Sequence, residues 1–185
     1  APISVDTYKA GVARAAIASG AHMVNDISAL RMDPLMGEVV AESGVPVVLM
    51  HMKGRPRDMQ QDPKYDSVVS EVADFLRKAI AEAEACGIDR SNILIDPGIG
   101  FGKNASHNLE ILRRLCELCS LGHPLVVGTS RKSLVGQVLS LPVGERLEGT
   151  AATVALAVAS GADIVRVHDV KYMSRVARMA DAIVR

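Results

Sequence analysis

The sequence has no excess charge of either sign: 21 Lys and Arg stand against 21 Asp and Glu, for a formal net charge of zero. Without a basic block or stripe to meet a phosphate backbone, the expectation is no nucleic-acid partner. Cysteine is scarce, with three residues in all. That is too few for a disulfide framework and points to a reducing, cytoplasmic setting. Long apolar runs are missing too. The longest, Ala151 to Val165, is interrupted by Thr153, Ser160, Gly161 and Asp163, short of the roughly 20 residues that a membrane span needs. No signal-peptide pattern opens the chain, and Ala1 stands where a methionine would start it, so a processed, excised or truncated chain is expected. What is present is an ordinary globular composition, 49% hydrophobic and 23% charged over 185 residues. It suits one domain, residues 1–185, with a sizeable core, and is incompatible with disorder.

The most regular feature is a hinge at which a helix-like apolar pattern ends in glycine and a short apolar run follows, at Gly20, Gly44, Gly87, Gly122 and Gly161. Glycine suits a helix C′ position because it accepts a left-handed backbone without steric cost. Helices are expected at Thr7–Ser19, Leu35–Ser43, Ser67–Cys86, Ser106–Ser120, Glu145–Ser160 and Lys171–Val184. Short, fully buried strands are expected at Pro2–Val5, His22–Val24, Pro46–Met50, Asn92–Ile95, Pro124–Val127 and Asp163–Val167. Over 185 residues this makes six strand-helix units of about 31 residues each.

Alternating strands and helices imply a parallel sheet with right-handed crossovers, either an open doubly wound sheet or a closed barrel. Polar residues follow every strand: Asp6, Asn25 with Asp26, His51, Asp96, Thr129 with Ser130, and His168 with Asp169. An open sheet concentrates its ligand at one switch point, whereas a barrel turns all of its strand ends to one site. The barrel is therefore favoured. A whole (β/α)8 TIM barrel takes about 250 residues, so six of eight units are expected here, with the first two absent before Ala1.

Several segments carry chemistry, each with a plain structural alternative. Asp96-Pro97-Gly98-Ile99-Gly100-Phe101-Gly102-Lys103 offers a backbone that a ligand could approach closely, or is a simple strand-to-helix loop with Asp96 capping its turn. Gly128-Thr129-Ser130-Arg131-Lys132-Ser133 offers hydroxyls and cations near a helix start, an anion-binding arrangement, or a solvated N-cap. Strand alternation sends Arg166 and His168 to the same side. Cys116 and Cys119 read as small helix-packing residues and not as a metal site, since no second pair accompanies them. The breaker-rich stretch from His51 to Asp66 reads as a mobile loop, equally consistent with an active-site flap or an inert surface excursion.

Taken together, Ile3-Ser4-Val5-Asp6-Thr7, Asn25-Asp26-Ile27, Leu49-Met50-His51-Met52, Asp96 to Lys103, Ser130-Arg131-Lys132-Ser133 and Arg166-Val167-His168-Asp169-Val170 resemble the dihydropteroate synthase family, in order over the whole chain. The resemblance implies a (β/α)8 transferase of folate biosynthesis, the sulfonamide target. Such an enzyme joins 6-hydroxymethyl-7,8-dihydropterin diphosphate to 4-aminobenzoate and releases diphosphate. It also implies Mg²⁺, held with help from an asparagine in the two N-terminal units that this sequence lacks. Homodimers through the last helices are the family habit.

Carried over residue by residue, the resemblance gives Asp96 the amino-pyrimidinone edge of the pterin, because a carboxylate accepts two parallel hydrogen bonds from such an edge. Asn25 and Asp6 would read other ring atoms, Lys132 would donate to the ring, Gly128 would let the ring approach and Met50 would offer a polarizable surface. Arg166 and His168 would hold the diphosphate; Phe101, Lys132 and Ser133 would face 4-aminobenzoate. Asp6, Lys132, Arg166 and His168 are the catalytic candidates. Two other readings use the same barrel: a domain passing methyl from methyl-folate to a corrinoid, and a catalytically silent pterin-binding fragment.

Overall fold

The computed structural model describes residues 1–185. Its six strands are β1 (Ser4–Asp6), β2 (Met23–Asp26), β3 (Val47–Met50), β4 (Ile93–Asp96), β5 (Val126–Val127) and β6 (Ile164–Val165). Its helices are α1 (Ala10–Ala18), α2 (Met36–Ser43), α3 (Val68–Ala85), α4 (Ala105–Arg113), α5 (Ser133–Leu139), α6 (Leu147–Ala159) and α7 (Val170–Val184). All strand pairs are parallel. β1 to β4 lie side by side in chain order, a bridge from Ile95 to Leu125 joins β4 to β5, and β5 pairs with β6. Right-handed crossovers that always step the same way put every helix on one face, whereas a doubly wound sheet reverses its order to cover both.

The two faces of the strands bury different things. Val24, Val47, Leu49, Ile93, Ile95 and Val127 join a core of 28 buried residues that includes Val39, Val72, Leu76 and Ile111 from the helices. The alternate residues Val48, Leu94 and Val126, with Met23 against them, form a small cluster on the opposite face. Period-two alternation then places Asp6, Asn25, Met50, Asp96, Gly128 and Arg166 above that inner cluster, at the C-terminal ends of the strands. The expected polar rim is therefore one surface. β1 and β6 each carry one unpaired edge and are the least buried strands: Ser4, Asp6 and Ile164 are exposed, and Val5 and Val165 only half-buried.

The five hinge glycines all take positive φ, from 62° to 99°. Elsewhere the elements differ from expectation in instructive ways. The helix expected over Ser106–Ser120 divides into α4 and a 3₁₀ stretch, Leu115–Leu121, with Arg114 at φ −111° and ψ 24° between them. Leu115, Leu118 and Leu121 recur every third residue, which matches the 3.0-residue turn of a 3₁₀ helix and points all three at the core. Cys116 and Cys119 lie in that stretch; all three cysteines are free and exposed as residues, but Cys119 Sγ still packs against Ser160 O and Gly161 O at 3.6 and 3.8 Å. Helix α5 begins where the Gly128–Ser133 motif pointed to a helix start, though no extent was expected for it; it stops at Ser140 in the left-handed region, two residues before Pro142. No helix is long and apolar enough to cross a membrane.

Candidate active site

A cavity of about 290 Å³ opens at the strand ends, lined by Met50, Asp96, Phe101, Gly128, Ser130, Lys132, Arg166, Val167 and His168. Seven of these were expected from the sequence; Ser130 and Val167 were not assigned. Asp6 and Asn25 stand beside the lining: the buried Asn25 donates from Nδ2 to Asp6 Oδ1 at 2.9 Å, and Asp6 pairs with Arg166. Ser133 is not brought in. It is exposed on the first turn of α5 and lines no part of the cavity.

Asp96 ends β4 at 4% exposure. Its Oδ1 accepts from Gly98 N at 2.7 Å, while Oδ2 has no protein donor and is open to the cavity. Burial pushes its carboxyl above the usual range, opposed by Lys132, the Gly98 N–H, Lys103 and Arg166. Lys132 is pulled the other way: burial lowers it, and the Asp96 charge opposes that. Its Nζ donates to Ile99 O at 2.5 Å and lies 5.0 Å from the centre of the Phe101 ring. A buried carboxylate with a spare acceptor thus faces a lysine across the cavity, an arrangement suited to a polar, planar ligand with adjacent donors.

The loop after Asp96 is fixed by close packing. At Gly98 (φ +66°) an added Cβ would stand 1.9 Å from His51 O, and at Gly102 (φ +65°) 2.2 Å from Lys53 O. The protein itself demands glycine there. Gly128 is different: its φ is unexceptional, and an added Cβ would meet nothing nearer than Arg166 Cβ at 3.7 Å. The bare wall at Gly128 serves the width of the cavity and not the fold.

The other end of the cavity is cationic and more open. Arg166 and Asp6 side chains are 50% and 54% exposed, so their ion pair contributes little to stability, about 0 to 1 kcal/mol. His168 is held at Ser130 Oγ by its backbone N–H at 3.1 Å and by Nδ1 at 2.9 Å. Arg131 (φ 57°) turns outward to grip Asp169 with two hydrogen bonds, 3.0 and 2.5 Å, which hold the Asp169 carboxyl below its ordinary range. The breaker-rich segment from His51 to Asp66 is a loop, as expected, and Gln60 and Tyr65 reach from it to the glycine loop. The sequence carried no signal for these two contacts. Lys103 is a partial exception, being a buried cation at the end of a glycine-rich motif.

Residues 1–168 match the family described as Pterin binding enzyme. Dihydropteroate synthase of Escherichia coli (strain K12) is 48% identical over 180 residues, covering 97% of this chain and 64% of that protein. The chain therefore spans about two thirds or a little less of the curated relative it matches. A crystal structure of Yersinia pestis dihydropteroate synthase with a sulfonamide drug complex superposes with TM-score 0.96 at 43% identity, covering 98% of this chain and 66% of that one. Xanthomonas albilineans dihydropteroate synthase in complex with 7,8-dihydropteroate superposes with TM-score 0.91 at 44% identity, over 98% and 66% of the two chains.

Proposed function

Because the chain belongs to the pterin-binding enzyme family, we propose that it carries the pterin site of a dihydropteroate synthase and serves the joining of 6-hydroxymethyl-7,8-dihydropterin diphosphate to 4-aminobenzoate. The observation that carries this reading is Asp96: a carboxylate at 4% exposure whose Oδ2 is left without a protein donor at the cavity. Each carboxylate oxygen accepts more than one hydrogen bond, so Oδ1, already bonded to Gly98, also has capacity for one donor of the pterin edge. Met50 and Gly128 would border the ring, Asn25 and Asp6 would read its far side, and Lys132 would donate to its ring oxygen and nitrogen. Phe101 and the Lys132-Ser133 turn would face 4-aminobenzoate, with Ser133 reaching it only from the rim.

The chemistry follows from where charge develops. In a dissociative path the C–O bond to diphosphate breaks first, leaving a pterin methylene cation that the arylamine nitrogen attacks. The electron pair of the broken bond stays on the diphosphate, whose negative charge grows beside Arg166 and His168; positive charge spreads over the pterin near Asp6, and the arylamine nitrogen releases a proton to solvent once its bond has formed. Preorganised groups of this kind typically contribute about 3 to 4 kcal/mol when removed singly. The pairing of Asp6 with Arg166 keeps both poised and leaves the other guanidinium N–H groups free for the leaving group. Mg²⁺ is implied by the family resemblance, but no group of three His, Cys, Asp or Glu side chains in this chain is placed to hold a metal, so no step here is routed through it.

The reading extends to architecture. Two further strand-helix units between the unpaired edges of β6 and β1 would close a (β/α)8 barrel, with residues 1–185 as one pterin-binding domain. The exposed apolar face of α6 and α7, where Leu156, Met179 and Ile183 are 63%, 64% and 71% exposed, supports a homodimer. The free thiols fit the reducing cytoplasm. A methyltransferase domain on the same barrel has no diphosphate to hold, so Arg166 and His168, the latter held by Ser130, favour the synthase, while Arg131 turns outward to Asp169.

The test is an assay of diphosphate release from both substrates, run with the chain alone and with the N-terminal units supplied as a separate chain. Release that rises on supplementation is expected. Pterin binding without release under either condition would leave the silent pterin-binding reading, and methyl transfer to a corrinoid would support the methyltransferase.

A further inference from the structure

From Gly98 to Gly102 the cavity loop presents five consecutive backbone carbonyls, and a side chain holds each one. Lys103 Nζ donates to Gly98 O at 2.9 Å and to Phe101 O at 3.0 Å. Lys132 Nζ takes Ile99 O at 2.5 Å, Gln60 takes Gly100 O, and Tyr65 OH takes Gly102 O at 2.7 Å. A loop outside any sheet ladder thus has its acceptors satisfied by side chains, Lys103 at its own end and Gln60, Tyr65 and Lys132 from other segments. Lys103 holds two of the five while itself only 2% exposed, and its nitrogen also meets His51 Nδ1 at 2.8 Å.

His51 acts as an acceptor here. Burial, with the charges of Lys103, Arg31 and Lys53, depresses its proton affinity to about pKa 2, and the edge of Phe75, 4.8 Å between ring centres, fixes its ring. Three acceptors around one nitrogen use all three N–H bonds of an ammonium, whereas a neutral amine brings only two.

We propose that Lys103 is a positioning residue: through Gly98 O, Phe101 O and His51 Nδ1 it sets the loop that presents Phe101 to the cavity, and loss of one proton from its nitrogen loosens that loop. The inference rests on the proposed reading of the cavity, in which Phe101 faces 4-aminobenzoate. The charged and titratable groups around Lys103 are Asp96 and Lys132 toward the cavity, His51 with Arg31 and Lys53 behind it, and His107 on α4. Burial lowers Lys103 to about 7, with Asp96 opposing and Lys132 assisting. The proton count therefore changes in the neutral range, while His51 stays neutral throughout.

The chain has two phenylalanines, Phe75 and Phe101, so fluorine-labelled phenylalanine gives two assignable resonances. On titration from about pH 5 to 9, the Phe101 resonance is expected to move with a midpoint near the Lys103 value of about 7. In Lys103→Arg, whose guanidinium does not titrate in this range, the resonance should stay still. A flat Phe101 resonance in the wild-type chain, or an unchanged titration in Lys103→Arg or Lys103→Met, overturns the proposal. The wild-type titration needs no variant to fold and no ligand to bind. With both substrates, Lys103→Met should raise KM for 4-aminobenzoate roughly tenfold or more with a smaller change in kcat, and Lys103→Arg should restore it. An unchanged KM counts against the placement of Phe101. Failure of the wild-type chain to bind a pterin, or to release diphosphate even with the N-terminal units supplied, would instead strike the proposed function, with the resonance titration still deciding the role of Lys103.

Discussion

Replacing Asp96 by asparagine separates the demands of the ligand from those of the fold. The side chain keeps its shape and its Oδ1, which accepts from Gly98 N at 2.7 Å, so the loop retains its anchor. What changes is the oxygen open to the cavity, where an amide N–H would now face a donor on the pterin edge. Removing one partner of a desolvated, charge-assisted pair costs roughly 2 to 5 kcal/mol, equivalent to a loss of affinity from about thirtyfold to several thousandfold. Stability should move differently. Burial raises the Asp96 carboxyl, so its ionised form opposes folding at neutral pH, and the neutral amide should leave Tm unchanged or higher. Calorimetric titration with a pterin lacking phosphates, beside a thermal melt, measures both. Wild-type affinity in folded Asp96→Asn and Asp96→Ala would refute the assignment, and a fall in Tm matching the loss of binding would make Asp96 a structural residue.

Arg166→Ala and His168→Ala should each weaken binding of the pterin diphosphate by about 1.5 to 3 kcal/mol while leaving a pterin without phosphates nearly unaffected; parallel loss of both in calorimetry would place them at the ring instead. Gly98→Ala, with its Cβ 1.9 Å from His51 O, should destabilise by more than about 2 kcal/mol in urea unfolding. Gly128→Ala, at 3.7 Å from its nearest neighbour, should fold like the wild type and lose pterin affinity. Because His51 has its pKa lowered from 6.5 to about 2, the unfolded chain takes a proton below pH 6.5 that the folded chain refuses. Stability should then fall with acidification by up to about 1.4 kcal/mol per pH unit from this group, and urea midpoints should show the slope reduced in His51→Asn. Ile183→Glu on the exposed face of α7 should shift a dimer toward monomer in sedimentation experiments, and a monomeric wild-type chain would refute that use of the face.

Much of this protein is determined locally. Glycines that accept a left-handed backbone end the helices, and short β-branched runs after them can satisfy their backbones only as buried parallel strands, so the alternation of elements was legible without a structure. The inner rim was legible too, since period-two alternation carries Asp6, Asn25, Asp96 and Arg166 to one side of a parallel array whatever its curvature. Local pattern failed where competing local structures differ by little: the leucines at 115, 118 and 121 serve an α or a 3₁₀ turn until core packing chooses, and α5, only seven residues long, is too short for a helical period to mark its extent. Partners distant in the chain were decided only by tertiary structure. Arg166 meets Asp6 across 160 residues, Lys103 meets His51 across 52, and His168 meets Ser130 across 38. Those meetings depend on sheet register and on how far the array curls, which no residue encodes alone. Proton affinity belongs with them, because the chain specifies a lysine at 103 but only its burial among carbonyls, beside a neutral imidazole, sets when that lysine carries its third proton.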